Sequence, residues 1–170
     1  MLTRLKIAGK KLFGAIGLDI QKKRREMPRA SMQGALAQLK RLGFRPQTVI
    51  DVGVAWQTND LYREFPDTEI LLIEPQAEFE PNLKKICMEY KAQYILAAAG
   101  AKPGKAVFNV HPEQPDGSSL LKEVEGASVD GVPRDVTVVT IDQVCAEKGL
   151  KGPYLLKLDV QGAELQVLEG

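Results

Sequence analysis

Leu156 to Gly170, LKLDVQGAELQVLEG, reads as an apolar strand running straight into the first turns of a helix, where the chain stops. Two upstream stretches follow the same pattern. Thr48 to Gly53 (TVIDVG) and Glu69 to Pro75 (EILLIEP) are short apolar runs, each meeting a carboxylate at its C-terminal end. Short apolar strands separated by helices are what a parallel sheet buried on both faces requires. In such sheets ligands lie beyond the C-terminal strand ends, so Asp51, Glu74 and Asp159 mark the expected crevice.

The segments between these strands fit that frame. Ser31 is expected to cap a helix running to about Leu42, with Met32, Leu36 and Leu39 on one face and Gly43 as its stop. Leu61, Tyr62 and Phe65 fall at helical spacing, as do Phe79, Leu83, Ile86, Cys87 and Tyr90. Gln93 to Ala98 is expected to form a third strand. After Gly100 the pattern changes: Ala106 to Val110 and Val136 to Ile141 alternate like antiparallel strands, joined by a Pro-, Gly- and Ser-rich connection from Pro112 to Pro133. Asp142 is expected to cap a short helix ending near Gly149, and Tyr154 to Leu158 returns as a buried strand. The fold class is doubly wound α/β, mostly parallel, with an antiparallel hairpin excursion.

The chain has 170 residues, 44% of them hydrophobic and 26% charged, which suits one globular domain with an appendage. Its net charge of +1 hides an asymmetry. Residues 1–29 hold nine Lys or Arg against two acids, leaving fourteen bases and twenty acids for the remaining 141 residues. The leader, residues 1–29, has Leu2, Leu5, Leu12, Phe13 and Ile16 roughly on one helical face among its lysines. Such a helix can lie on an anionic membrane or dock on a partner. Gly9, Gly14 and Gly17 weaken it, so an extra packed helix or a frayed leader is the preferred reading. No signal peptide and no membrane-spanning run of about twenty apolar residues is read, and the expected location is the cytoplasm, with peripheral membrane contact as the variant. Cys87 and Cys145 lie far apart with no C-x-x-C pair, so neither a disulfide framework nor a zinc site is indicated.

Glu74 follows Asp51 by 23 residues, close to the offset of about 20 at which an acid accepts hydrogen bonds from ribose hydroxyls in nucleoside-binding α/β folds. An adenosine-type ligand fits that spacing. A dinucleotide fits less well, because the loop Val54-Ala55-Trp56-Gln57 lacks the further glycines that let a pyrophosphate approach a helix N-terminus. Ser118 and Ser119 read as loop formers, His111 as a loop histidine, and Trp56 as either a packing residue or the floor of a pocket. No ligand spacing demands a metal.

DVGVAWQTNDLYREFP, ILLIEPQAEFEPNLKKI, the Ser118-Ser119 pair, VTVVTID and LKLDVQGAELQVLEG occur in an order and spacing that resemble the FkbM family of S-adenosylmethionine-dependent methyltransferases, over about residues 45–170. The strongest part is Lys157-x-Asp159-Val160-Gln161-Gly162-Ala163-Glu164, similar to the family's K-I-D-V-E-G-x-E block. The resemblance implies S-adenosylmethionine as cofactor, with Asp51, Gly53 and Ala55 forming the turn around its methionine part. Glu74 would hold the ribose hydroxyls, and the Ala97–Gly100 turn, with Ala98, would face the adenine. Asp159 would sit near the transferred methyl group, with Glu164 orienting Asp159 or the acceptor. The implied reaction is O-methylation of a hydroxyl on a sugar, glycan or natural product.

Two departures from the family pattern stand out. Its first motif usually reads D-V-G-A-N-x-G, whereas here Ala55 holds the Asn position and Gln57 the final Gly position. The resemblance also implies a seven-stranded sheet, while this chain stops after the expected fourth core strand, so a C-terminally incomplete domain is expected over residues 30–170. Its open sheet edge would be available for pairing with another chain. The main rival reading is a non-catalytic cofactor-binding or scaffold protein on this fold. A nucleotide-linked oxidoreductase is disfavoured by the missing G-x-G-x-x-G, and a nucleic-acid partner by the acidic body.

Overall fold

A computed structural model of the chain describes residues 31–121 and 131–170. The basic leader expected at residues 1–29 and much of the Pro-, Gly- and Ser-rich connection lie outside the described residues.

Helix α1 (Met32–Arg41) opens where Ser31 accepts a hydrogen bond from the Gly34 N–H at 3.1 Å, as a serine cap should. Strand β1 (Thr48–Val52) leads to α2 (Asn59–Glu64), β2 (Glu69–Ile73), a 3₁₀ turn over Ala77–Phe79, α3 (Glu80–Glu89) and β3 (Ala92–Ile95). Then come β4 (Ala98–Ala99), β5 (Gly104–Val110), β6 (Val132–Val139), α4 (Ile141–Lys148), β7 (Tyr154–Leu158) and α5 (Glu164–Leu168).

Four strands form a parallel sheet in the order β3-β2-β1-β7. Side-chain alternation divides its core into two layers. Val49, Ile70 and Leu72 pack with Leu36 of α1, Leu61 and Tyr62 of α2, and Leu83 and Ile86 of α3. Ile50, Val52, Leu71 and Ile73 face the other way, against Val144 and Cys145 of α4 and Val167 of α5. Helices on both faces explain why the strands read as continuous apolar runs. The expected doubly wound core is therefore present.

The hairpin excursion forms a second sheet, ordered β4-β6-β5, with β5 antiparallel to β6 and β4 parallel to it. This corrects the expected third strand. Gln93 to Ala98 does not stay in one ladder: β3 ends at Ile95, and Ala98 and Ala99 pair with Val138 and Val139 of the second sheet. The second hairpin strand also begins and ends earlier than its alternation indicates, because Thr140 turns the chain into α4. Its hydroxyl accepts from the Gln143 N–H at 3.2 Å, so Thr140 rather than Asp142 is the cap. Asp142 falls instead in the first turn, where a carboxylate complements the helix dipole. Gly149, at φ 65°, closes α4 in the left-handed conformation.

Cys87 and Cys145 are both free thiols. Among the described residues no helix is long and apolar enough to cross a membrane.

Candidate active site

The C-terminal ends of β1, β2 and β7 open onto one cavity of about 300 Å³, at the lower end of the range for small-molecule sites. The turn after β1 supplies Gly53, Ala55 and Trp56, and the turn after β2 supplies Glu74 and Gln76. Ala97, Ala98 and Ala99 form a small-residue wall, and Lys157 and Asp159 come from the end of β7. Phe108, Asp116, Ser118 and Leu120 of the excursion complete the lining. The excursion thus lies beside the strand ends.

The β1 turn needs its glycine. Gly53 has φ 73°, and a β-carbon there would overlap the Asp159 carbonyl oxygen and lie 2.9 Å from its carbonyl carbon. The ends of β1 and β7 are therefore in main-chain contact, tied also by the Asp159 N–H donating to Val52 O at 3.1 Å. Ala55 follows at φ 46°, a left-handed conformation that alanine adopts at a cost. The Ala55 N–H donates to Glu74 Oε2 at 2.9 Å, while the Gln76 N–H donates to Oε1 at 3.0 Å. Glu74 is thus a buried carboxylate that organises two turns and still faces the cavity. Burial pushes its carboxyl above the usual range, and the two backbone N–H groups oppose that shift.

Asp51 is not part of the cavity lining. It is fully buried beneath the turn, where its Oδ2 accepts a hydrogen bond from the Tyr62 hydroxyl. Its Oδ1 faces the Lys157 ammonium at 3.1 Å, an ion pair without the alignment of a hydrogen bond. Burial first, and the neighbouring carboxylate second, push the Tyr62 phenol far up, so it remains a donor across the physiological range. Lys157 also donates to the Gly53 carbonyl at 2.7 Å and stands 3.9 Å from Asp159 Oδ2.

Asp159 lines the cavity with its side chain 60% exposed and accepts from Gln161 Nε2 at 3.1 Å. Glu164, by contrast, lies outside the lining. Its Oε1 accepts from the Val160 and Gly162 N–H groups at 3.2 and 3.3 Å, so it fastens the turn that carries Asp159. Its own backbone N–H above all, against an opposing desolvation and with the Gly162 and Val160 N–H groups adding to it, holds its carboxyl below the usual range.

Of the residues singled out in the sequence, Gly53, Ala55, Glu74, Ala98 and Asp159 meet at the cavity, whereas Asp51 and Glu164 support it from outside. Trp56 lines it with its ring edge-on to Phe79 at 5.1 Å. Ser118 and Ser119 act as loop formers: Ser118 accepts from the His111 N–H at 3.0 Å, and Ser119 donates to Gln161 O at 2.8 Å. Sequence reasoning assigned no role to Lys157 or Gln76. For Lys157 the signal was its i, i+2 spacing from Asp159, which places both side chains on one side of the strand. Gln76, which donates to Pro115 O at 2.9 Å and so ties the excursion to the β2 turn, carries no comparable signal.

Among the described residues, no group of three or more acidic, His or Cys side chains is arranged to hold a metal ion. A parallel sheet with helices on both faces, a glycine turn after its first strand and an acid ending its second define a doubly wound α/β fold with its cavity at the strand ends, consistent with a class I methyltransferase fold. The model of the methyltransferase FkbM domain matches residues 51–170, and the chain belongs to that family. No curated protein and no solved structure matches the chain significantly.

Proposed function

We propose that the chain is an S-adenosylmethionine-dependent methyltransferase acting on a hydroxyl oxygen of a small molecule or glycan. The observation that carries this reading is Glu74, a buried carboxylate at the end of β2 that faces the cavity while its oxygens fix the β1 turn. A carboxylate held in this way is the acceptor that ribose hydroxyls need. The lining fits the cofactor: Gly53 lets the β1 turn close against the Asp159 main chain at the cavity, and the small side chains of Ala97–Ala99 leave room for adenine.

When bound, S-adenosylmethionine supplies an electrophilic methyl group on a sulfonium. The chain's own residues then have three tasks. The Gly53–Ala55 turn and Glu74 orient the donor, the cavity walls limit access of water, and Asp159 accepts the proton of the acceptor hydroxyl. Methyl transfer requires in-line positioning and, for an alcohol, a base, and this set supplies both. Glu164 and Asp51 act as positioning residues, through the Asp159 turn and through Lys157 respectively.

The acidic body argues for a neutral or glycan acceptor rather than a nucleic acid. Peripheral membrane contact through the basic leader and pairing along the β7 edge belong to the same reading. Incubation with methyl-labelled donor and a panel of sugars and hydroxylated natural products tests it. Label in base-stable methyl ethers, lost in Asp159→Asn, is expected; label confined to base-labile methyl esters would oppose transfer to a hydroxyl.

A further inference from the structure

Four ionisable side chains line the cavity, Glu74, Asp116, Asp159 and Lys157, and Lys157 is the one cation among the described lining residues. A purely structural lysine would need only its partner Asp51. Lys157 instead reaches past Asp51, donating to the Gly53 carbonyl of one turn and approaching the Asp159 carboxylate of another. Its side chain is only 15% exposed, so its charge is weakly screened. Asp51 and Lys157 are also direct neighbours in the β1–β7 register, which sets the ammonium beside the Asp51 carboxylate at 3.1 Å.

The reading above assigns the cavity a donor and a product that differ by one unit of charge, a sulfonium and a thioether. Three carboxylates alone would hold the sulfonium tightly in the ground state. That binding opposes catalysis, because the positive charge on sulfur is lost as the methyl group leaves. We infer that Lys157 is a specificity-determining and positioning residue: its ammonium fixes the Gly53 turn against Asp159, and its charge narrows the cavity's preference for the positively charged donor over the neutral product. This inference rests on the cofactor reading.

The test compares Asp51→Asn with Asp51→Asn/Lys157→Met, so that removing the ammonium leaves no buried carboxylate unpaired. Each variant is titrated calorimetrically with S-adenosylmethionine and with S-adenosylhomocysteine, next to the unmodified chain. Loss of the ammonium is expected to raise the donor-to-product affinity ratio about fivefold, the order set by one nearby unit charge in a partly screened site. Lys157→Gln in the same background keeps a donor for the Gly53 carbonyl and is expected to show the same rise. An equal change in both affinities would make Lys157 a packing residue and overturn the inference while leaving the cofactor reading intact. Failure of the unmodified chain to bind either compound would overturn both.

Discussion

Gly53 and Asp159 touch through their main chains, so closely that a β-carbon on Gly53 would overlap the Asp159 carbonyl oxygen. This contact joins the turn proposed to face the cofactor to the carboxylate proposed to face the acceptor. Gly53→Ala must both strain a φ of 73° and push β1 and β7 apart. A loss of about 3 kcal/mol or more is expected, and urea unfolding measures it.

Ala55 pays for its position in the opposite sense, since alanine at φ 46° is strained where asparagine is tolerated. Ala55→Asn is expected to stabilise the fold by about 0.5–1 kcal/mol, a rise in Tm of about 1–4 °C. Differential scanning calorimetry reads this directly. The same change should leave the Ala55 N–H on Glu74, because that bond uses only the backbone.

Tyr62 donates to a carboxylate that is fully buried. Tyr62→Phe leaves Asp51 Oδ2 without that donor and is expected to cost about 1.5–3 kcal/mol. Because burial raises the phenol, Tyr62 is also expected to stay un-ionised in an ultraviolet titration until the chain unfolds in alkali.

Glu74 and Glu164 predict opposite pH behaviour. The Glu74 carboxyl is raised by burial, so its contribution to stability is greatest below its ordinary value of 4.5 and declines as pH rises through its folded value. Ligand binding runs the other way, because ribose hydroxyls need the ionised acceptor. S-adenosylhomocysteine affinity is expected to fall as pH drops through a window above 4.5, and in Glu74→Gln this dependence should disappear. Glu164 is lowered by backbone N–H groups, so its small stabilising effect is present above 4.5 and is lost as pH falls through its folded value. Unfolding midpoints of Glu164→Gln and the unmodified chain are therefore expected to converge in acid.

The parallel core was legible because TVIDV and EILLI are buried on both faces and leave little ambiguity of period. YLLKL, expected as a buried strand, is instead the edge strand β7, exposed at Tyr154 and half-buried over Leu155–Leu158. The break between Ile95 and Ala98 was not legible, because the run of small apolar residues there suits either ladder and only the pairing with Val138 and Val139 decides. Glu74 and Asp159 were found from their places at strand ends. Asp51 stands in a similar place but turns under the sheet toward Tyr62, since it points to the same layer as Val49. A strand-end carboxylate in sequence does not reveal which side of the turn it will occupy. Lys157 was overlooked for a related reason: its three partners come from β1, the turn after β1 and the end of β7, and they meet only once the strands are in register.

The central claim is that Glu74 holds an adenosine-type cofactor in this cavity. Calorimetric titration of the chain with S-adenosylhomocysteine, beside Glu74→Ala, tests it most directly. Saturable one-site binding, weakened about tenfold or more by the substitution, is the predicted result, as the loss of hydrogen bonds to a charged acceptor requires. No binding by the folded chain, or equal binding by the variant, would contradict the account.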